Sequence, residues 1–313
     1  MSASPARLDP AKFRDPLRTA GGEPRARIAL RSLDTLWLNT GTLCNIECAR
    51  CYIESSPRND RLAYLRLGDV EPLLDEIRAL GLATRTIGFT GGEPFMNPDI
   101  LALLDACLER GFHALVLTNA MRPMQRLATE LLALRARHPA SLTLRVSVDH
   151  YTEALHEEER GSRSFEPTLA GLCWLAAHGF SVCVAGRTIW SEDPARLRAG
   201  YARLFEERGL AIDAADPTAL VLFPEMDERA DVPEITESCF EKLGVDRDLL
   251  MCATSRMLVR RRGEPRAVLM PCTLLPYDER FALGATLAAA RAEVPLNHPH
   301  CARFCVLGGG SCS

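Results

Sequence analysis

The sequence lacks an excess of charge of either sign. Lys and Arg total 37 of the 313 residues and Asp and Glu total 41, which gives a formal net charge of −4 at pH 7. Without a basic field, the chain is not expected to bind nucleic acid or an anionic membrane surface. Hydrophobic residues make up 47% and charged residues 25% of the chain, a composition that excludes a disordered or fibrous protein.

Long hydrophobic runs are also missing. No stretch approaches the roughly 18 apolar residues that a membrane-spanning helix needs. Residues 1–31 carry six arginines but no apolar segment of the kind found in secretory signals. The sequence therefore predicts a soluble, cytoplasmic protein without a membrane partner.

Cysteine, by contrast, is abundant, with twelve residues. This density indicates disulfides in an oxidising compartment, or thiolates used for metal binding and redox chemistry in a reducing one. The expected cytoplasmic location favours metal ligands. A secreted disulfide protein is the alternative.

Strand and helix patterns alternate six times between Asp34 and about Phe223. The predicted strands cover residues 35–39, 86–90, 114–118, 142–148, 181–189 and 219–223. The predicted helices cover residues 70–80, 100–110, 126–136, 167–178 and 194–208. Alternation at this spacing is typical of parallel βαβ units, so the sequence predicts an α/β fold with a partial (β/α)6 TIM-type barrel, whose functional residues gather at the C-terminal ends of the strands.

The alternation ends at Pro224. A hairpin around Gly263 and a short helix near residues 283–292 are predicted in the remaining part, which ends in a tail rich in Cys, His and Gly. We therefore predict an N-terminal extension of residues 1–33, a partial barrel of residues 34–224, and a small Cys-rich hairpin-plus-helix extension of residues 225–313.

The first predicted strand is followed by a C-x3-C-x2-C run that contains Cys44, Cys48 and Cys51. Three thiolates in so short a loop can converge on one cubane iron–sulfur cluster, and they leave one of its four irons open. An open iron can be chelated by a molecule with an amino and a carboxylate group. A structural zinc knuckle with a fourth ligand from elsewhere is the alternative.

The second predicted strand ends in Thr90-Gly91-Gly92-Glu93-Pro94. Two glycines allow a ligand to approach the backbone closely, and the carboxylate of Glu93 can accept from an ammonium group. The stretch could also be a plain turn. Its place beside the cysteine loop, at the end of the neighbouring strand, favours a binding site.

Together the two motifs resemble those of the radical S-adenosylmethionine (SAM) superfamily, and the resemblance covers about residues 36–223. It implies that the three loop cysteines hold a [4Fe–4S] cluster whose fourth iron binds the amine and carboxylate of SAM. It also implies that Gly91, Gly92 and Glu93 hold the methionyl ammonium.

Later strand ends carry looser matches to the same superfamily. They imply further cofactor contacts from Asn119, Ser147, Asp149 and Arg187. The chain departs from the family pattern at Arg50, since a ring-bearing residue that contacts the adenine usually precedes the third cysteine. Tyr52 follows the third cysteine directly. Ala120 replaces the glycine of the family's Thr-Asn-Gly.

A second group of cysteines lies in the C-terminal third. Its members flank the predicted hairpin and follow the short helix, an order that resembles the twitch and SPASM extensions of the same superfamily and fits the one-cluster twitch form better. The resemblance implies an auxiliary [4Fe–4S] cluster held by Cys252, Cys272, Cys301 and Cys305. A structural zinc in the same four sulfurs is the alternative, and Cys312 is surplus to the set.

The other candidate ligands are expected to have structural roles. Cys107, Cys173 and Cys183 fall in helix or strand patterns and are predicted to be buried apolar thiols. Cys239 is assigned no role. His298 and His300 could bind metal, but we expect them to belong to an ordered loop.

The resemblance implies a radical SAM enzyme of oxidoreductase type that reductively cleaves SAM, abstracts a hydrogen atom from its substrate and oxidises that substrate. No catalytic side chain is predicted beyond the cofactor contacts, and an external low-potential donor of the flavodoxin or ferredoxin type would supply electrons. A small metabolite is the favoured substrate, because residues before Asp34 have too little apolar patterning to build a peptide-recognition domain. Modification of a ribosomal peptide and a non-catalytic iron–sulfur or zinc scaffold are the alternatives.

Overall fold

A largely parallel sheet forms the centre of the structure, a computed structural model that describes residues 6–310. In chain order the strands are β1 (Arg27–Ile28), β2 (Thr35–Asn39), β3 (Thr86–Thr90), β4 (His113–Thr118), β5 (Leu142–Ser147), β6 (Ser181–Arg187), β7 (Leu220–Phe223), β8 (Ser255–Val259), β9 (Val268–Met270) and β10 (Val294–Pro295). The helices are α1 (Leu67–Ala79), α2 (Ile100–Glu109), α3 (Arg122–Gln125), α4 (Ala128–Arg137), α5 (Glu153–Arg160), α6 (Phe165–Ala177), α7 (Pro194–Glu207), α8 (Glu237–Leu243) and α9 (Met251–Thr254).

The main sheet has the order β7-β6-β5-β4-β3-β2-β8-β9 within the described residues. All neighbours up to β8 are parallel, and only the β8–β9 pair is antiparallel. The predicted α/β fold and its six parallel strands are confirmed. The sheet is open, as expected of a partial barrel.

Helix α1 shows how the sequence directs packing in the barrel. The carboxylate of Asp69 accepts from the backbone N–H of Arg66 at 2.9 Å and closes the first turn. Apolar residues then recur three or four positions apart, which places them on one helix face. The buried face consists of Val70, Leu73, Leu74 and Ile77.

The C-terminal hairpin joins the barrel sheet, which the sequence did not indicate. Strand β8 pairs in parallel with β2 in the register Thr35 to Ser255. The α-helix predicted near residues 283–292 is wrong, since this segment contains only a 3-10 turn, Ala289–Arg291. Leu283 and Gly284 instead exchange backbone hydrogen bonds with Leu269 of β9, and Gly284 has a positive φ of 93° that interrupts a helix.

Residues 6–33 pack against the C-terminal part of the chain. Strand β1 pairs antiparallel with β10, and Phe13, Ala26 and Ile28 belong to a second hydrophobic core that is built mainly from residues after 225. The predicted domain boundaries remain predictions. Among the described residues, no helix is long and apolar enough to cross a membrane.

Candidate active site

The three motif cysteines lie in the loop that leaves the C-terminal end of β2. Cys44 is 5% exposed, and Cys48 and Cys51 are half-buried. Burial raises the pKa of the Cys44 thiol to about 12 and that of Cys48 to about 11. Buried thiols of this kind bind a metal as thiolates, with the cation replacing the proton, and three of them in one short loop are suited to a metal site.

The glycine pair after β3 packs directly against this loop. The N–H of Gly92 donates to the carbonyl of Gly41 at 2.8 Å, and the N–H of Glu93 donates to the carbonyl of Leu43 at 3.1 Å. A Cβ atom at Gly92 would collide with the Leu43 carbonyl, and Gly91 has a φ of 128°. The two glycines are therefore required by the close approach of the cysteine loop, a role that sequence reasoning missed.

Glu93 faces β4 rather than the cavity. Its carboxylate accepts from the Thr118 hydroxyl at 2.8 Å and from the backbone N–H groups of Asn119 at 2.9 Å and Phe95 at 3.2 Å. Burial raises the pKa of Glu93 to about 7, against the opposing effect of these hydrogen bonds. The side chain thereby fixes the end of β4, where Asn119 begins the next wall of the site.

Asn119 reaches towards the cysteine loop. Its amide donates to the side-chain oxygen of Asn45 at 2.9 Å and lies 4.0 Å from the Cys44 sulfur. Ala120 is buried with a φ of 54°, the left-handed region that glycine adopts without strain. The alanine that departs from the family pattern thus keeps the backbone conformation suited to glycine.

Asp149 forms a bidentate ion pair with Arg160, the last residue of α5. The Nε and Nη2 atoms of Arg160 lie 2.8 and 3.3 Å from the two carboxylate oxygens. Burial lowers the pKa of Arg160, but Asp149 and the thiol of Cys48 outweigh that effect and hold it above its usual range. Arg160 and Asp149 thus form a buried ion pair beside the cysteine loop, and the sequence analysis did not find Arg160.

Arg187 lies at the end of β6 in a network with two other charged residues. Its Nη1 donates to Glu159 at 2.8 Å, and Glu159 also accepts from Arg50 at 3.0 Å. Arg50 therefore serves as the partner of a buried carboxylate. Within residues 6–310, Nε and Nη2 of Arg187 have no hydrogen-bond partner, although Nη2 lies 3.5 Å from a carboxylate oxygen of Glu225. Such a pair of donors suits a ligand carboxylate.

All of the cofactor contacts predicted for the barrel lie at one cavity or directly behind it. Glu93 supports the wall, and the others line the cavity together with the three loop cysteines. The lining members of the predicted set are Gly91, Gly92, Asn119, Ser147, Asp149 and Arg187. Thiols, an unpartnered guanidinium edge and close-packed glycines in one place fit a cluster bound together with an amino-acid-bearing cofactor.

The four C-terminal cysteines line a second, smaller cavity between α9, β9 and the π-helical segment Cys301–Val306. Burial raises the pKa of the Cys252 thiol to about 11 and that of Cys301 to about 12. The remaining wall is largely apolar, and the Nδ1 atom of His300, buried within it, has no hydrogen-bond partner in residues 6–310. Four thiols in a dry cavity fit an iron–sulfur cluster or zinc.

The other residues considered from the sequence have local roles. His298 Nδ1 accepts from the backbone N–H of His300 at 3.1 Å, and both Nε2 atoms lie within 3.8 Å of Glu228. The neutral His298 ring therefore carries its proton on Nε2, which favours the ordered loop over a metal site. Cys239 accepts from the Thr236 N–H at 3.4 Å and caps α8.

Among the remaining cysteines, Cys107 and Cys183 are buried as predicted, whereas Cys173 is half-buried. Cys312 lies outside the described residues.

Comparison with known proteins identifies the class. Residues 38–193 match the profile of the Radical SAM superfamily. AlbA, the antilisterial bacteriocin subtilosin biosynthesis protein of Bacillus subtilis, is 32% identical over 143 residues, which are 45% of this chain and 30% of AlbA. The mycofactocin maturase MftC of Mycobacterium tuberculosis is 28% identical over 138 residues, 44% of this chain and 33% of MftC. The chain thus covers about a third of these curated relatives.

The solved structure of anSMEcpe with bound AdoMet and Cp18Cys peptide has the same fold, with a TM-score of 0.57 and 13% identity over 82% of this chain and 79% of that one. The chain belongs to the radical SAM superfamily. Proteins of this superfamily use a [4Fe–4S] cluster and SAM, and the three loop cysteines and the cavity beside them are the residues of this chain that would hold both.

Proposed function

We propose that the protein is a radical SAM oxidoreductase in which an auxiliary [4Fe–4S] cluster takes an electron from the substrate. The cluster ligands in this proposal are Cys252, Cys272, Cys301 and Cys305. The observation that supports it best is that Leu274 lines both cavities. Because the two cavities share this side chain in their walls, they adjoin each other, which favours direct electron transfer between centres bound there.

When bound, SAM and the cluster of the barrel supply a radical that removes one hydrogen atom from the substrate, and the auxiliary cluster accepts the electron left behind. A second hydrogen leaves as a proton, so the substrate loses two hydrogen atoms. The chain orients SAM through Asn119, Asp149 and Arg187, which line the cavity. An external flavodoxin- or ferredoxin-type donor supplies the first electron.

The favoured substrate is a peptide, rather than the small metabolite that the sequence analysis favoured. AlbA is named for the biosynthesis of a bacteriocin, and anSMEcpe has been solved with a bound peptide. Phe223, Met226 and Phe304 contribute apolar side chains to the lining of the cavity, and the rings of Phe223 and Phe304 stack 6.0 Å apart. Such an apolar wall excludes water and accommodates an apolar side chain presented by a peptide backbone.

Mass spectrometry of anaerobic reactions tests the proposal. The reconstituted protein, SAM and a low-potential reductant are incubated with peptides encoded by short reading frames next to the gene, and in parallel with small metabolites. We expect 5′-deoxyadenosine and a peptide lighter by two hydrogen atoms, whether the product is a dehydrogenated residue or a thioether crosslink. Conversion of the metabolites alone would reassign the substrate class.

The matched control is Cys272→Ala, which removes one proposed auxiliary ligand and leaves the barrel motif intact. This variant should still form 5′-deoxyadenosine but yield little oxidised product. An equal yield of oxidised peptide from a variant shown to lack the auxiliary iron would refute the electron-accepting role.

A further inference from the structure

Arg256 of β8 is a buried cation with an unusual set of partners. The residue is 0% exposed. Its guanidinium donates to the backbone carbonyls of Cys252 and Ala290, both at 2.7 Å, and of Ser255 at 2.8 Å. Carbonyl dipoles solvate the charge, but they do not neutralise it.

Three other largely buried arginines of this protein pair with carboxylates. Arg25 pairs with Glu234, Arg160 with Asp149 and Arg187 with Glu159. Within residues 6–310, no carboxylate lies within ion-pair distance of Arg256. An uncompensated buried charge is costly, so a counter-charge is expected nearby.

The candidate counter-charges are the cysteines of the second cavity, whose thiols become anionic thiolates when they bind a metal. The guanidinium donates to the carbonyl of Cys252 at 2.7 Å, and Cys252 lines the second cavity together with Cys272. An arginine guanidinium stays protonated in proteins at neutral pH, so Arg256 is a cation. A cubane with four thiolate ligands is a net anion, and its charge becomes more negative on reduction.

We propose that Arg256 is the counter-cation of the auxiliary cluster and raises its reduction potential. This inference rests on the proposed auxiliary cluster. The charge acts through a dry, apolar surrounding in which electrostatic interactions are weakly screened. Arg256 would thereby make the cluster a better acceptor of the substrate electron, as a positioning residue that touches neither substrate nor SAM.

The test is an EPR-monitored redox titration in the Cys44→Ala, Cys48→Ala, Cys51→Ala background, so that only the auxiliary cluster is observed. Arg256→Gln removes the charge and keeps a hydrogen-bonding side chain. We expect at least a tenfold fall in the equilibrium constant for cluster reduction, equivalent to about 59 mV for one electron.

The control is Arg260→Gln. Arg260 follows the same strand four residues later, about 13 Å away along an extended chain, and it pairs with Asp69 at 2.9 Å. This variant loses the same charge and should leave the potential unchanged. An equal shift in both variants, or no shift in Arg256→Gln at full iron content, would overturn the inference.

Arg256→Lys keeps the charge and decides the matter if the Gln variant does not fold. A Lys variant that retains both the cluster and the wild-type potential supports the assignment. Loss of the cluster from the Lys variant, or a lowered potential, would show that the guanidinium acts through its hydrogen bonds alone. If the parent background itself binds no iron, the auxiliary cluster is refuted, whereas about four irons with an unchanged potential refute only the role of Arg256.

Discussion

The two cysteine-lined cavities differ in what surrounds the sulfur atoms. The barrel cavity combines apolar side chains with charged and amide ones, among them Arg160, Asp149 and Arg187. The second cavity is largely apolar, and Arg256, which donates to the carbonyl of Cys252, is sealed behind backbone carbonyls. The first arrangement suits a site that admits a charged cofactor and a substrate. The second suits a centre that exchanges only electrons, because a dry wall offers nothing for a polar substrate to bind.

The largest effect is expected from removing the barrel cysteines. Cys44→Ala, Cys48→Ala and Cys51→Ala together should abolish cleavage of SAM. Iron should fall from about eight to about four per chain, since each cubane contributes four. Iron analysis and chromatography of 5′-deoxyadenosine measure both results. Persistent cleavage in this variant would mean that the two cavities have been given the wrong roles.

Removing an auxiliary ligand should lower the iron content as well but should preserve SAM cleavage. Cys301→Ala should reduce iron to about four per chain, while SAM cleavage continues at a rate within a few-fold of wild type. Stoichiometric zinc together with about four irons in the wild-type protein would contradict the auxiliary cluster and remove the main support for substrate oxidation.

The glycine contact predicts an intermediate effect confined to the barrel cavity. Gly92→Ala forces a methyl group against the Leu43 carbonyl, and such overpacking costs about 1–3 kcal/mol. We expect partial loss of the barrel cluster, visible as lower iron and slower SAM cleavage. Gly68→Ala is the matched control, because nothing lies within 4 Å of a Cβ atom there. An unchanged iron content in Gly92→Ala would show that the cysteine loop shifts to accommodate the methyl group at little cost.

The sequence revealed the sites best where the chemistry is local. Three cysteines within eight residues predict a cluster-binding loop, and six apolar strand patterns predict the parallel sheet. Glu159 and Arg160 were missed because they end an acidic, charged run that is typical of a solvated helix surface, and only the return of α5 to the cavity buries them. The ion pairs of this wall depend on long-range packing, and no short spacing encodes them.

Long-range pairing explains the errors in the C-terminal part as well. Nothing in residues 255–259 indicates that they pair with β2, some 220 positions earlier. The alanine-rich segment before Arg291 favours a helix by intrinsic propensity. Glu76 of α1, however, accepts from the N–H groups of Leu287 and Ala288, both at 2.9 Å, and Gly284 is held against β9. Tertiary contacts therefore outweigh the local preference.

Glu93→Gln should weaken SAM binding without changing iron content. The amide keeps the size of the side chain but turns an acceptor into a donor beside Thr118 and the Asn119 N–H. Loss of these charge-assisted hydrogen bonds costs the end of β4 about 1.5–3 kcal/mol, and the rise in Kd for SAM is limited to the part of that cost that the bound state bears, at most about 150-fold. Direct titration with SAM measures it. Unchanged affinity would show that the carboxylate serves only to close a turn.

The smallest effect is expected at a cysteine that belongs to neither cavity. Cys239 caps α8 through its sulfur atom, which accepts from the Thr236 N–H and lies 3.3 Å from the Thr236 hydroxyl. Serine can accept the same hydrogen bond, so Cys239→Ser should change the free energy of unfolding by less than about 0.5 kcal/mol. Iron should remain at about eight per chain, and both SAM cleavage and the potential of the auxiliary cluster should be unchanged. Because serine also removes a thiol, loss of iron in this variant would show that Cys239 supplies a ligand and that the second cavity is not complete with its own four sulfurs.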